Sequence, residues 1–252
     1  MSTFVSVTEA RAMPGLRIAC LRGVPSPWTE AAKAIFRVKG LDCQYAGQAE
    51  DDPDNAIAGW AGNSSVPVVA FEDEPLRTGW AEILLLAERL APAKPLLPDG
   101  FEARAEAIGL SHEICGEMGL GWAARNFLVG LGFESDGASG FHPKVGKFLA
   151  GKYGYRESED YRQRVIAILE ALSARIAGKP FLVGSSLTAV DIYWAAFSNL
   201  VAPLPAEKLP MHPRFRAMWE SVPDDVKSAA SGELMAHRDR IYETCFELPV
   251  PL

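Results

Sequence analysis

The spacing of apolar residues predicts alternating strands and helices in the first third of the chain. After a first apolar run, the segment from Ser26 to Gly40 has apolar positions at helical spacing, with Pro27 at the first helical position and a glycine stop. A turn signal at 72–75 precedes a further strand and then a helix that ends at Pro92. The clearest strand segments are 16–21, 41–47 and 66–71. With a short, weak helix between the second and third strands, the predicted order is β-α-β-(α)-β-β-α.

A proline-rich segment then separates this region from a helical one. Residues 91–100, "APAKPLLPDG", hold three prolines and a glycine, and beyond them the apolar pattern is almost entirely helical. Residues 131–155 are rich in glycine and are predicted to be irregular. The predicted organisation is an N-terminal extension (1–15), an α/β domain (16–92), a linker (93–98) and an all-helical domain (99–252).

Composition and charge exclude several classes of function. Hydrophobic residues make up 48% of the chain and charged residues 23%, which is typical of a globular protein. The net charge is -7 and no Lys/Arg-rich block is present, so nucleic acid is not an expected partner. No apolar run approaches the roughly 18–20 residues of a membrane span, and the N-terminus lacks a secretory pattern. Together with four widely spaced cysteines, expected to be reduced and mostly buried, these features predict a cytoplasmic protein with no membrane partner.

No metal or nucleotide motif stands out. The four histidines lack the spacing of metal ligands, so no metal site is predicted. The chain also has no phosphate-binding glycine loop and no G-x-S-x-G elbow.

The tetrapeptide Ser26-Pro27-Trp28-Thr29 has the shape of a redox C-P-x-C turn with hydroxyls in place of both thiols. A redox thiol exchange through this turn is therefore disfavoured. Ser26 has two possible roles: it caps the helix that begins at Pro27, or its hydroxyl donates a hydrogen bond to the sulfur of a ligand. The residues alone leave both open.

Two further motifs concern the backbone. Val66-Pro67 stands at the head of an apolar strand, and base rates of about 5–6% for cis X-Pro bonds favour a trans peptide there. Thr188 and Asp191 have the spacing of a helix capping box before a buried helix, which predicts a structural role.

Taken together, these elements resemble the glutathione transferase superfamily over about residues 16–220. The strand order resembles its thioredoxin-like domain, the proline-rich linker stands where that family has its linker, and "NSSVPVVAF" is similar to its Val-Pro strand start. "GSSLTAVDIYWA" resembles its G-D-x-x-T-x-A-D capping motif, with Ser185 and Val190 as departures. The resemblance implies a thioredoxin-like α/β domain followed by an all-α domain, and a homodimer.

It also implies a site. In this family a cis proline presents the preceding residue's backbone to glutathione, so Val66 and Pro67 are expected to bind the tripeptide. Ser26 occupies the position of the thiol-activating residue. Thr78 and Gly79 stand where the family has an acidic residue and a serine for the γ-glutamyl end, so the carboxylate is missing.

The implied function is activation of the glutathione thiol for attack on a small electrophile, with glutathione as co-substrate. The alternative is a protein of this fold that has lost glutathione and acts as a binding or interaction module, which the Thr78-Gly79 departure favours. Candidate residues of the electrophile pocket are Trp28, Trp122, Phe127 and Tyr153, although core packing explains aromatic residues at helical spacing equally well. Gly116, Gly119 and Gly121 are expected to bend the helix across 113–122 and so open the cleft.

Overall fold

The N-terminal region is built on a small mixed sheet. The computed structural model describes residues 3–49, 52 and 54–252; residues 1 and 2 of the predicted extension lie outside the described residues. The strands are β1 (Phe4–Val5), β2 (Leu16–Leu21), β3 (Cys43–Gln48) and β4 (Val68–Phe71). They lie in the order β1-β3-β2-β4, with β4 antiparallel to β2 and the other pairs parallel.

Helices pack around this sheet and make up the rest of the fold. Those of the N-terminal region are α1 (Val7–Ala12), α2 (Pro27–Lys39), α3 (Ala56–Ala61) and α4 (Trp80–Leu90). Those beyond the linker are α5 (Phe101–Cys115), α6 (Leu120–Glu134), α7 (Pro143–Tyr153), α8 (Tyr161–Ile176), α9 (Ala189–Ser198), α10 (Pro213–Glu220), α11 (Asp224–Ser228) and α12 (Gly232–Cys245). No helix within residues 3–49, 52 and 54–252 is long and apolar enough to cross a membrane.

The segment predicted as an N-terminal extension is part of the sheet. Strand β1 pairs with β3 through Phe4 opposite Tyr45 and Val5 opposite Ala46, and α1 follows directly. A two-residue strand carries no alternating pattern, so the sequence gives no signal for it. Its position covers the outer edge of β3, which would otherwise expose unpaired backbone groups.

The last predicted strand is reduced to a single bridge. Val69 and Arg77 exchange backbone hydrogen bonds of 2.8 and 2.9 Å, and no regular ladder extends this pair within the described chain. The chain then enters α4 directly, which places Thr78 and Gly79 at the start of that helix.

The two faces of the sheet pack against different cores. A small cluster joins one face to α1 and α3 and includes Val7, Ala19, Ala46, Ile57 and Val68. The other face contributes to a large cluster that runs through α2 and α4 into the C-terminal helices. Helix α9 lies at the centre of this cluster, because all ten of its residues are buried. The domain boundaries stay a prediction, since one core is continuous across the linker.

The C-terminal helices differ from prediction in two places. The segment 131–155 is not irregular: α6 extends to Glu134, and α7 begins with His142 accepting a hydrogen bond from the N–H of Lys144 and ends at Gly154 with positive φ. The glycines at 116–121 end one helix and start another instead of bending a single one. A carbon placed on Gly119 would lie 2.7 Å from the carbonyl oxygens of residues 112 and 113, so this close return of the chain depends on glycine.

The capping box before α9 is present as predicted. The Asp191 carboxylate accepts hydrogen bonds from the Thr188 N–H at 2.8 Å and the Thr188 hydroxyl at 2.9 Å. It also accepts the N–H of Leu182 and contacts His237 Nε2, both at 2.9 Å. Asp191 is fully buried, so these contacts fix the start of the central helix.

Candidate functional site

Ser26 stands at the N-terminus of α2, and its hydroxyl is not used for capping. The residue has extended φ and ψ, Pro27 is the first helical residue, and no side-chain cap hydrogen bond forms. Within the described residues, no hydrogen bond engages the backbone N–H of Trp28 or Thr29. The helix therefore presents a free hydroxyl and two free N–H groups at its positive end, where a negative charge is favoured.

The Val66-Pro67 peptide bond is cis, as the family resemblance implies and contrary to the base-rate expectation. Pro67 is buried and Val66 is half-buried. In the part of the chain that the structure describes, the N–H and C=O of Val66 form no hydrogen bond. Both groups are therefore available to pair with an extended ligand.

A small cleft connects several of the predicted site residues. Trp28, Pro67 and Thr78 line it together with Trp80 and Tyr193. Tyr193 is fully buried and its hydroxyl donates to the Trp80 carbonyl at 3.3 Å. Burial raises the pKa of Tyr193 well above its ordinary value, so this phenol is not a source of a phenolate.

Gly79 is the cap residue of α4, and its N–H already has a partner. It donates a hydrogen bond of 3.2 Å to Glu82 Oε2. Glycine has no side chain to return the bond, so only this half of a capping box exists. Glu82 is exposed, and its carboxylate occupies the backbone N–H of a residue that the family resemblance assigns to the γ-glutamyl end of glutathione.

Trp28 links the N-terminal region to the helical region. Its indole Nε1 donates to the carbonyl of Cys115 at 2.9 Å, at the end of α5. Its ring lies edge-on to Phe197, with 4.7 Å between centroids. A carbon placed on Gly121 would clash with the Phe197 ring and would lie 2.8 Å from Trp28 Cη2, so the glycine allows α6 to approach both rings.

The other aromatic residues predicted for the pocket fall into two groups. Tyr153 and Trp28 both stack on the guanidinium of Arg125, at 3.9 and 4.5 Å from ring centroid to Cζ. Trp122 lies edge-on to Tyr161 at 5.4 Å, and Phe127 packs against the main core. Both contacts are of the kind that core aromatics make, and a pocket role for Trp122 and Phe127 stays a prediction.

Arg125 is a site feature that the sequence reasoning missed. It lies in the apolar sequence "GWAARNFLVG", with no carboxylate three or four residues away on the helix. An arginine without an acidic partner in an apolar segment could have indicated a binding residue. The sequence also did not indicate that Glu82 accepts a hydrogen bond from the Gly79 N–H. A capping box is recognised by a Ser or Thr at the cap position, and here that position is a glycine.

The cysteines do not supply a reactive thiolate. Cys20, Cys43, Cys115 and Cys245 are all free. Burial raises the pKa of Cys20 to about 11 and raises the pKa of the other three thiols as well. Among the described residues, no three His, Cys, Asp or Glu side chains are grouped as metal ligands would be.

Comparisons with known proteins agree with this architecture. Residues 141–223 match the family "Glutathione S-transferase, C-terminal domain". The chain is similar to this family over those residues, which lie in the helical region. Its fold class is the predicted one, a thioredoxin-like α/β region followed by an all-α region. A search of curated protein sequences finds no match.

Solved structures with this fold cover most of the chain. A glutathione S-transferase from Xanthobacter autotrophicus Py2 has a TM-score of 0.57 and 19% identity, covering 94% of this chain and 98% of its own. One from Methylobacterium radiotolerans, in complex with glutathione sulfonate, has a TM-score of 0.62 and 15% identity, covering 90% of both chains. One from Pseudomonas putida, with one glutathione disulfide per subunit, has a TM-score of 0.56 and 14% identity, covering 92% and 95%.

Proposed function

We propose that this protein binds glutathione in the cleft beside Pro67 and activates its thiol for attack on a small electrophile. The observation that carries the proposal is the N-terminus of α2, where the Ser26 hydroxyl and two backbone N–H groups are unengaged within the described chain. A thiolate placed there gains a hydroxyl donor and the positive end of a helix. Solved proteins of the same fold carry glutathione sulfonate or glutathione disulfide, which supports a glutathione ligand for this chain.

The remaining contacts follow from the same placement. The free backbone groups of Val66 pair with the cysteinyl part of the tripeptide, and Pro67 packs beside it. Thr78 and Gly79 receive the γ-glutamyl end. In the reaction the thiol proton passes to solvent, the sulfur electron pair forms a bond to the electrophilic carbon, and the leaving group departs with its bonding pair. A homodimer in the cytoplasm completes the proposal.

Ser26→Ala tests the role of the hydroxyl. With glutathione bound, the ultraviolet absorbance of the thiolate is titrated against pH. We expect the wild-type protein to lower the thiol pKa from about 8.5 to about 6.5, which corresponds to about 2.7 kcal/mol, and the variant to lose most of that effect. Because the hydroxyl caps nothing, the variant should lose less than about 0.5 kcal/mol of unfolding free energy.

Ser231→Ala is the matched control. Its hydroxyl accepts the N–H of Leu234 and so caps α12, which means its loss should cost about 1 kcal/mol of stability and leave the thiol unchanged. An identical thiol pKa in the wild-type and Ser26→Ala complexes would remove Ser26 from the chemistry.

The second candidate is a protein of this fold that no longer uses glutathione and acts as a binding module. The hydrogen bond from Gly79 to Glu82 favours it, because a carboxylate of the chain already occupies a group needed by the ligand. Calorimetry with millimolar glutathione separates the two. Absence of binding at that concentration favours the module.

A further inference from the structure

The guanidinium of Arg125 contacts two aromatic rings, and one of them belongs to Trp28, which also lines the cleft beside Pro67. Its Cζ lies 4.5 Å from the Trp28 ring centroid and 3.9 Å from that of Tyr153. Trp28 belongs to α2 of the N-terminal region, whereas Arg125 and Tyr153 belong to α6 and α7. The guanidinium is therefore placed where the two regions meet.

This arginine has no carboxylate partner in the part of the chain that the structure describes. Seven other arginines form ion pairs with carboxylates: Arg77, Arg89, Arg162, Arg164, Arg175, Arg216 and Arg238. Arg125 forms neither an ion pair nor a hydrogen bond to a described residue, although the chain carries 32 acidic residues against 25 basic ones. A guanidinium has five N–H donors, and leaving them unused in a partly buried site is unfavourable.

The ring contacts leave the N–H donors of Arg125 without a partner among the described residues. Aromatic rings contact the flat faces of a guanidinium, while its N–H groups point outward in the plane. That plane matches the two oxygens of a carboxylate, which it binds by parallel hydrogen bonds. Burial lowers the pKa of Arg125, with Tyr153 opposing the effect, which is the sign of a cation that is short of solvent and of counter-charge.

A second cation contacts the same Tyr153 ring. Lys152 Nζ is 5.3 Å from the Tyr153 ring centroid and 3.3 Å from the Ser64 hydroxyl. Ser64 precedes the Val66-Pro67 strand start by two residues. Two cations therefore contact one ring in a protein whose net charge is -7, and this local excess of positive charge favours an anionic ligand.

We propose that Arg125 binds the carboxylate of the second substrate, a small electrophile with a flat apolar body that packs against Trp28 and Tyr153. The anion site stands on the contacts of Arg125 alone. The identification of its ligand as the electrophile rests on the proposed glutathione-dependent function. The carboxylate positions the substrate and takes no part in the exchange of bonds at the sulfur.

The first experiment uses the unaltered protein and two probes of nearly equal shape. 3-Nitrobenzoate carries a carboxylate, and 3-nitrobenzamide carries a neutral amide in its place. Binding is measured by calorimetry without glutathione, so the result does not depend on any transferase activity. We expect the benzoate to bind about 10- to 150-fold more tightly, the range given by a charged hydrogen bond. Equal affinities would overturn the proposal.

Variants then assign the effect to one side chain. Arg125→Met keeps a long apolar stem between the rings and should remove the preference for the benzoate, whereas Arg125→Lys keeps the charge and should retain part of it. Arg162→Met removes a surface cation paired with Asp225 and is the control for net charge. If Arg125→Met weakens both probes equally, Arg125 only supports the rings and the proposal is wrong; if that variant does not fold, the lysine variant and the wild-type comparison still decide.

Glutathione is titrated into the same proteins. Unchanged glutathione affinity in Arg125→Met, with the benzoate preference lost, supports two separate subsites. If glutathione binds no variant and not the wild type, the proposed function fails while the anion site is still measured by the benzoate. If Arg125→Met weakens glutathione and leaves the benzoate unaffected, Arg125 binds the tripeptide and the present assignment is overturned.

Discussion

Replacing Glu82 by glutamine should strengthen glutathione binding. In the structure the Glu82 carboxylate accepts the Gly79 N–H at 3.2 Å, at the N-terminus of α4. A ligand carboxylate that binds the Gly79 N–H is therefore repelled by the negative charge of Glu82. Glutamine keeps an oxygen acceptor for the N–H and removes the charge, so the start of the helix is preserved.

The size of the effect follows from the distance. Two like charges about 4 Å apart repel by about 1 kcal/mol at the dielectric constant of water and by about 4 kcal/mol at an effective value of about 20. Glu82 is exposed, so the lower figure applies. If the side chain swings away instead, it loses one hydrogen bond and its favourable place at the helix end, together about 1–2 kcal/mol. Glu82→Gln should therefore lower the glutathione Kd about 5- to 10-fold, and the loss of the charge at the helix N-terminus should lower the unfolding free energy by less than about 1 kcal/mol.

Calorimetric titration with glutathione at low and high salt measures the change. Salt screens an exposed repulsion, so the difference between variant and wild type should shrink as ionic strength rises. Glu102→Gln, which removes an exposed carboxylate from the first turn of α5, is the control and should bind as the wild type does. Weaker binding by Glu82→Gln would show that Glu82 holds the γ-glutamyl ammonium group and would refute the competition. An unchanged affinity would refute it as well.

Two other predictions concern packing and pH. Gly121→Ala places a carbon against the Phe197 ring and 2.8 Å from Trp28 Cη2, so chemical denaturation should show a loss of about 1–3 kcal/mol, whereas Gly109→Ala, which meets no atom within 4 Å, should be neutral or stabilising. Burial raises the pKa of Glu30 above 4.5, with Lys33 opposing. The folded state then binds this proton more strongly than the unfolded state, and the group lowers stability as pH rises from about 4.5. Glu30→Gln should make the fall in Tm above that pH smaller; an unchanged slope would contradict the assignment.

The sequence predicts local features of the fold well because their signals are local. The α2 helix from Pro27 and the capping box of Thr188 and Asp191 each depend on residue types a few positions apart. Strand β1 and helix α7 were not predicted from such local signals, each for a different reason. β1 has only two residues, and α7 contains Gly146 and Gly151 inside a helix whose ends are set by His142 and Gly154.

The site is less predictable from the sequence. Some of its main features are contacts between segments that are distant in the chain, and others are side chains that lack an expected partner. The sequence position of Ser26 is typical of a helix cap, whereas in the structure its hydroxyl forms no cap hydrogen bond. The types of the neighbouring residues do not distinguish a capping hydroxyl from a free one. Arg125 is visible in sequence as a lone cation. Its ligand-binding character depends on Trp28, 97 positions earlier in the chain, and on the lack of a carboxylate partner among the described residues.

Trp28 gives the two proposed subsites a fixed relation. Its ring stacks on Arg125, its indole N–H is held by the last carbonyl of α5, and its backbone follows Ser26 and Pro27 at the start of α2. Core packing and a role in the cleft are therefore not alternatives for this residue, because the same ring does both. A movement of α6 that displaces Trp28 would shift the guanidinium of Arg125 relative to the Ser26 hydroxyl. In the proposed complex, the separation of the Ser26 hydroxyl and the Arg125 guanidinium limits the length of the electrophile that can react, and Trp28 contacts or adjoins both ends of that span.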